Sequence, residues 1–86
     1  MARVRLHGAL PKVVDGRAEL TVDGATVCEV LRAIERAEPA LHGWILDERG
    51  RIRRHLHVFV GGDGGREDTP VGPEERVDVL PAISGG

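Results

Sequence analysis

The chain is short of almost everything that marks a self-sufficient enzyme, a membrane protein or a nucleic-acid binder. It holds a single cysteine, Cys28. An internal disulfide is therefore excluded, and nothing assigns the chain to an oxidising compartment. Its aromatics are Trp44 and Phe59, with no tyrosine, so the core has to be built from Val, Leu, Ile and Ala. Charge of one sign is also lacking: the formal net charge is −2, too near neutral to point to nucleic acid or a membrane surface. Lys12 is the single lysine. No apolar run has the length of a signal peptide or a membrane span, and a cytoplasmic location is the expectation. Eighty-six residues make one small domain with one modest core and little room for a deep pocket.

What the chain does have is alternation. Val4, Leu6 and, past Gly8, Leu10 fall on one side of a first strand, with Arg3, Arg5 and His7 on the other. Pro11 and Asp15-Gly16 punctuate it. Ala18, Leu20 and Val22 form a second strand, antiparallel to the first, closed by Asp23-Gly24. Thr26 and Glu29 have the spacing of a capping box, and Val27, Val30, Leu31, Ile34 and Ala37 follow as a helical stripe that Pro39 ends. Trp44, Ile45 and Leu46 must cover something, and Asp47-Glu48-Arg49-Gly50 reads as a turn. His55 to Val60 alternates again, with Leu56, Val58 and Val60 facing away from His55, His57 and Phe59. Gly61 to Gly65 reads as a loop, and Val77 to Leu80 as a last strand stopped by Pro81. The order predicts an α+β fold of the β-grasp (ubiquitin-like) type: a four-stranded mixed sheet with one main helix packed across it. The expected division is a domain over 1–80 and a flexible tail over 81–86.

The tail is the unusual part. Pro81-Ala82-Ile83-Ser84-Gly85-Gly86 ends in two residues with no side chain and no preferred backbone conformation. Two readings fit these residues: a stalk that presents a carboxylate to a narrow channel in another protein, with Ser84 keeping it slim, and a simple frayed end.

Val77-Asp78-Val79-Leu80-Pro81-Ala82-Ile83-Ser84-Gly85-Gly86 resembles the terminus of the bacterial sulfur-carrier proteins, the MoaD/ThiS-like family that includes the small subunit of molybdopterin synthase. His57-Val58-Phe59-Val60 with its Gly/Asp-rich turn resembles the family's middle strand, and Thr26-Val27 through Leu31 its helix start. The chain departs from the family at Gly61-Gly62, where Asn is common, and at Gly72-Pro73-Glu74-Glu75, where Gly-Asp often precedes the last strand. The resemblance implies a carrier with no catalytic residues of its own and no bound cofactor. An E1-like partner would use ATP to adenylate the Gly86 carboxylate, and a sulfur donor would convert it to a thiocarboxylate. A sulfur-accepting synthase or hydrolase would receive the sulfur. Gly85 and Ser84 would thread the partner's channel, and Phe59 with His57 would lie on the docking surface. Chain length and tail favour molybdopterin or cysteine biosynthesis, with thiamine or a secondary metabolite as further destinations. Two other functions fit the same residues: a ubiquitin-like modifier joined to lysines through Gly86, and a plain β-grasp interaction domain.

Other features have plainer readings. Cys28 suits a small buried hydrophobe at the margin of the helical stripe. His55 and His57 lack further ligands nearby, so no metal site is expected. The run Arg49, Arg51, Arg53 and Arg54 reads as a solvated face, and Gly61 to Gly65 lacks the lysine and following helix of a phosphate loop.

Overall fold

The computed structural model describes residues 1–81. Its elements in chain order are β1 (Ala2–Leu6), α1 (Leu10–Val13), β2 (Glu19–Val22), α2 (Val27–Ala37), a 3-10 turn (Pro39–Leu41), β3 (Leu56–Val60), β4 (Asp63–Gly64) and β5 (Arg76–Pro81). The sheet order is β2-β1-β5-β3-β4. β5 runs parallel to β1 and antiparallel to β3, so the first and last strands lie side by side at the centre. This is the β-grasp arrangement, with five strands rather than four.

The extra strand comes from the glycine run. Gly61 and Gly62 have φ of 59° and 94°. Two successive positive φ values make the tight turn that suits a two-residue hairpin, and Phe59 and Val60 pair with Gly64 and Asp63 across it. A run expected to be a loop is thus partly strand, because its glycines supply the turn and its backbone the ladder.

The β1–β2 connection differs as well. β1 ends at Leu6, and Leu10 belongs to the helical turn α1. Leu10 and Val14 are buried: Gly8, at φ 64°, breaks the strand and lets the following turn drop both side chains into the core. β1 and β2 pair antiparallel as anticipated.

α2 follows its sequence signals. The Thr26 hydroxyl accepts from the Glu29 amide at 3.3 Å, and the Glu29 carboxylate accepts from the Ala25 amide at 3.1 Å, one residue before the usual capping-box partner. Val27, Val30, Leu31 and Ile34 are fully buried and carry the helix against the sheet; Ala37 is exposed. Leu41, Ile45 and Leu46 are buried beneath the segment that follows, but Trp44 is 51% exposed. Only two members of the Trp44-Ile45-Leu46 trio therefore cover the core. Cys28 is partly buried, its thiol 3.8 Å from the Gly50 carbonyl.

Candidate functional site

The helix occupies one face of the sheet, and the other is open. Ala2, Val4 and Leu6 of β1, Leu56, Val58 and Val60 of β3, and Val77 and Val79 of β5 all point into the core. Alternation places the residues between them on the open face. These are Arg3 and Arg5, His57 and Phe59, and Arg76, Asp78 and Leu80. His57 lies opposite Leu80 and Phe59 opposite Asp78. The two sequence-predicted docking residues therefore share one surface: His57 is exposed, and Phe59 and Leu80 are half-buried. The expected tail residues Ser84, Gly85 and Gly86 lie outside the described residues.

Under this surface is a polar cluster that alternation does not announce. Asp78 is 7% exposed. One carboxylate oxygen lies 2.9 Å from His7 Nε2, and the Arg76 Nε donates to both oxygens at 3.2 and 3.0 Å. Burial, the largest single influence, pushes the Asp78 carboxyl up, but the hydrogen bonds from His7 and Arg76 and their charges together hold it below the ordinary carboxylate value. His7 also donates its backbone N–H to the Val79 carbonyl at 3.0 Å, so it is tied to β5 by main chain and side chain. A lone acid between Val77 and Val79 was the available signal; its partner stands seventy-one positions away and is brought close only by the parallel β1–β5 pairing.

The sign of the pH effect follows. A carboxyl depressed in the folded state stabilises the fold above its unfolded pKa, and that stability is lost as pH falls through the folded value. Asp78→Ala is expected to lower stability at neutral pH by about 1.5–3 kcal/mol, the range for hydrogen bonds to a charged group. It should also flatten the acid limb of stability against pH, as followed by urea unfolding between neutral pH and pH ~3.

Pro81 is the last residue of β5, paired with Leu56, rather than the first residue of the tail. It is seated on Gly8. A Cβ built at Gly8 would lie 2.9 Å from Pro81 Cγ, and Gly8 already has φ +64°. Gly8→Ala therefore meets both a disfavoured backbone conformation and a proline ring. A loss of about 1–3 kcal/mol is expected, with the largest amide shifts in an NMR spectrum at Leu80 and around β1.

No family model matches the chain. Across 84 residues, 95% of this chain and 97% of the relative, it is 29% identical to small archaeal modifier protein 1 of Haloferax volcanii. The crystal structure of that protein superposes with a TM-score of 0.82 at 28% identity, covering 99% of this chain and 98% of the other. These likenesses support the MoaD/ThiS-like sulfur-carrier family. Two further members of the fold support the architecture. A chain of the Amycolatopsis orientalis BexX/CysO complex superposes with a TM-score of 0.87 at 22% identity, both chains covered in full at 100%. The putative molybdopterin converting factor subunit 1 of Pyrococcus furiosus superposes with a TM-score of 0.72 at 15% identity, over 95% and 97% of the two chains. The Haloferax volcanii relative is named a modifier protein. No group of three or more His, Cys, Asp and Glu among the described residues is placed to hold a metal ion. No helix among them is long and apolar enough to cross a membrane.

Proposed function

We propose that this chain is a sulfur carrier whose Gly86 carboxylate is activated and converted to a thiocarboxylate. The observation that carries the reading is the position of β5. The strand is hydrogen-bonded on both sides at the centre of the sheet and ends at Pro81, held by Gly8 and Leu56. The sequence that ends in Gly85-Gly86 thus follows a strand paired on both sides, while the open face beside that strand carries His57, Phe59 and Leu80 for a partner to grip.

The chemistry balances without a catalytic group on this chain. A carboxylate is a poor acyl donor because oxide is a poor leaving group. An E1-like partner joins the Gly86 carboxylate to the α-phosphorus of ATP and releases pyrophosphate. Hydrosulfide then adds to the acyl carbon, and AMP departs with the C–O bond pair. The product is a C-terminal thiocarboxylate, which a synthase or hydrolase accepts as a sulfur nucleophile. Cysteine and molybdopterin biosynthesis are the favoured recipients.

One observation favours a second reading: the relative that matches 95% of the chain is named a modifier. In that case a lysine ε-amine adds to the same activated carbonyl and expels AMP, leaving an isopeptide. The two share the adenylate, so the test has two stages. Pyrophosphate exchange into ATP should depend on this chain together with an adenylating partner. The adenylated chain is then offered sulfide and a lysine-bearing protein in competition. Thiocarboxylate formation supports the carrier; transfer only to lysine replaces it with the modifier; no exchange with any adenylating partner overturns both.

A further inference from the structure

Five residues follow Pro81 in the sequence. Fully extended, five residues span at most about 16–18 Å. That is less than the narrowest extent of the domain, 24 Å. A protein that encloses the Gly86 carboxylate must therefore abut the end of the sheet from which β5 departs.

That end carries an exposed tryptophan. Pro81 pairs with Leu56. His55, the residue before Leu56, lines a concavity of about 270 Å³ together with Trp44, His42, Gly43 and Arg53. The wall that bears Trp44 thus adjoins the point of departure. We infer, resting on Gly86 as the reacting residue, that Trp44 is a docking anchor for the adenylating partner. An apolar pocket at the mouth of the partner's channel covers the indole as the tail enters.

Single exposed apolar groups are ordinary on a protein surface; position and mounting set Trp44 apart. Among the described residues, the large apolar side chains left exposed are Trp44, at 51%, and Met1. β1 runs parallel to β5, so Met1 lies by the start of β5, beside Asp23 and Pro73, and no tail passes it. Trp44 is held by its backbone from both sides. Its amide donates to the Leu41 carbonyl at 2.8 Å, and the Arg53 amide donates to the Ile45 carbonyl at 3.0 Å. Leu41, Ile45 and Leu46 are buried. The Glu35 carboxylate accepts from the Ile45 and Leu46 amides at 3.4 and 3.1 Å. The indole is thus presented on a segment already ordered, and a partner that covers it has little left to immobilise. Tryptophan is also enriched among the side chains whose truncation costs an interface most. The core makes no use of it, since Ile45 and Leu46 do the covering there.

The test uses the full chain with its adenylating partner and follows pyrophosphate exchange against carrier concentration. Trp44→Ala is expected to raise the KM for the carrier by about tenfold, the loss of one anchor contact. The value of kcat should stay within about twofold, because the anchor is gripped equally before and during the reaction. Trp44→Phe should recover part of the loss. Asp23→Asn, exposed at the opposite end of the sheet, should change neither constant. All three variants should unfold where the parent does. In the parent labelled with fluorotryptophan, the fluorine resonance should move when the partner is added. It should stay in place when residues 82–86 are removed from the free chain, and when the free chain is diluted. An unchanged KM in Trp44→Ala, or a resonance indifferent to the partner, would overturn the inference while exchange in the parent upholds the reading of Gly86. A parent chain without exchange would remove that reading, and the anchor with it. A resonance that moves on removal of 82–86 would assign the indole to the chain's own tail instead, and one that moves on dilution would assign it to a second copy.

Discussion

Removal of Gly86 is expected to abolish sulfur loading while leaving the unfolding transition where it is. The two halves of this expectation have separate causes. Every buried core residue described lies between Ala2 and Val79, and the last ladder pair is Pro81 with Leu56. Activation, by contrast, depends on where one carbon sits. Shortening an extended chain by one residue withdraws its carboxylate by about 3.3–3.6 Å. Misplacing a reacting atom by even ~1 Å can cost on the order of a hundredfold in rate. Pyrophosphate exchange with the adenylating partner should fall below detection in the deletion variant, while its thermal midpoint stays within about a degree of the parent's. A deletion that melts the domain would show that Gly86 is structural. Full exchange in its absence would show that the carboxylate of this residue is not the reacting group.

Ile34→Ala is expected to cost the fold more than any surface change, by about 2–5 kcal/mol. Ile34 is fully buried on the stripe that joins α2 to the sheet, with Val27, Val30 and Leu31 on the same helix. The core holds no buried aromatic, so the aliphatic contacts of this helix carry an unusual share of the packing. Against a typical total of about 5–15 kcal/mol, such a loss would leave the domain marginal. Urea unfolding at neutral pH measures it. A change under about 1 kcal/mol, the range of a conservative swap such as Ile→Val, would contradict the close packing of α2 on the sheet. Where the variant remains folded, its exchange activity should persist, because Ile34 lies on the core side, away from the open face.

Much of this architecture is legible in the sequence because its signals are local. The capping box at Thr26 and Glu29 and the stripe from Val27 to Ile34 mark α2 at both ends. Alternation marks β1, β3 and β5 and places His57 and Phe59 on the face opposite the helix. Legibility fails where a residue's role is set by something distant or by the backbone alone. Leu10 keeps the parity of β1 but belongs to α1, since Gly8 takes positive φ and ends the strand. Asp63-Gly64 has no side-chain pattern at all; it is a strand because the Gly61-Gly62 turn folds it back on Phe59 and Val60. Asp78 sits in the last strand like an error until the parallel pairing brings His7 alongside. Three consecutive apolar residues at 44–46 do not say which of them turn inward; Ile45 and Leu46 do, and the Trp44 indole remains outside. The basic run from Arg49 to Arg54 reads as a solvated face in one dimension. Arg49, Arg51 and Arg54 are indeed exposed, and only the fold sets Arg53 beside Arg32 and Arg36 of α2.

The central claim concerns one atom of the Gly86 carboxylate, and intact mass measures it most directly. The protein is purified from its native host without reducing thiols, weighed, and weighed again after incubation with ATP, the adenylating partner and sulfide. The sulfur-carrier account predicts a species heavier by the exchange of one oxygen for sulfur, with fragmentation placing the sulfur on Gly86. The same spectrum reads whether Gly86 is the last residue of the mature chain. A terminus that keeps both oxygens under every condition, or a mass found only as a conjugate on another protein's lysine, would contradict it.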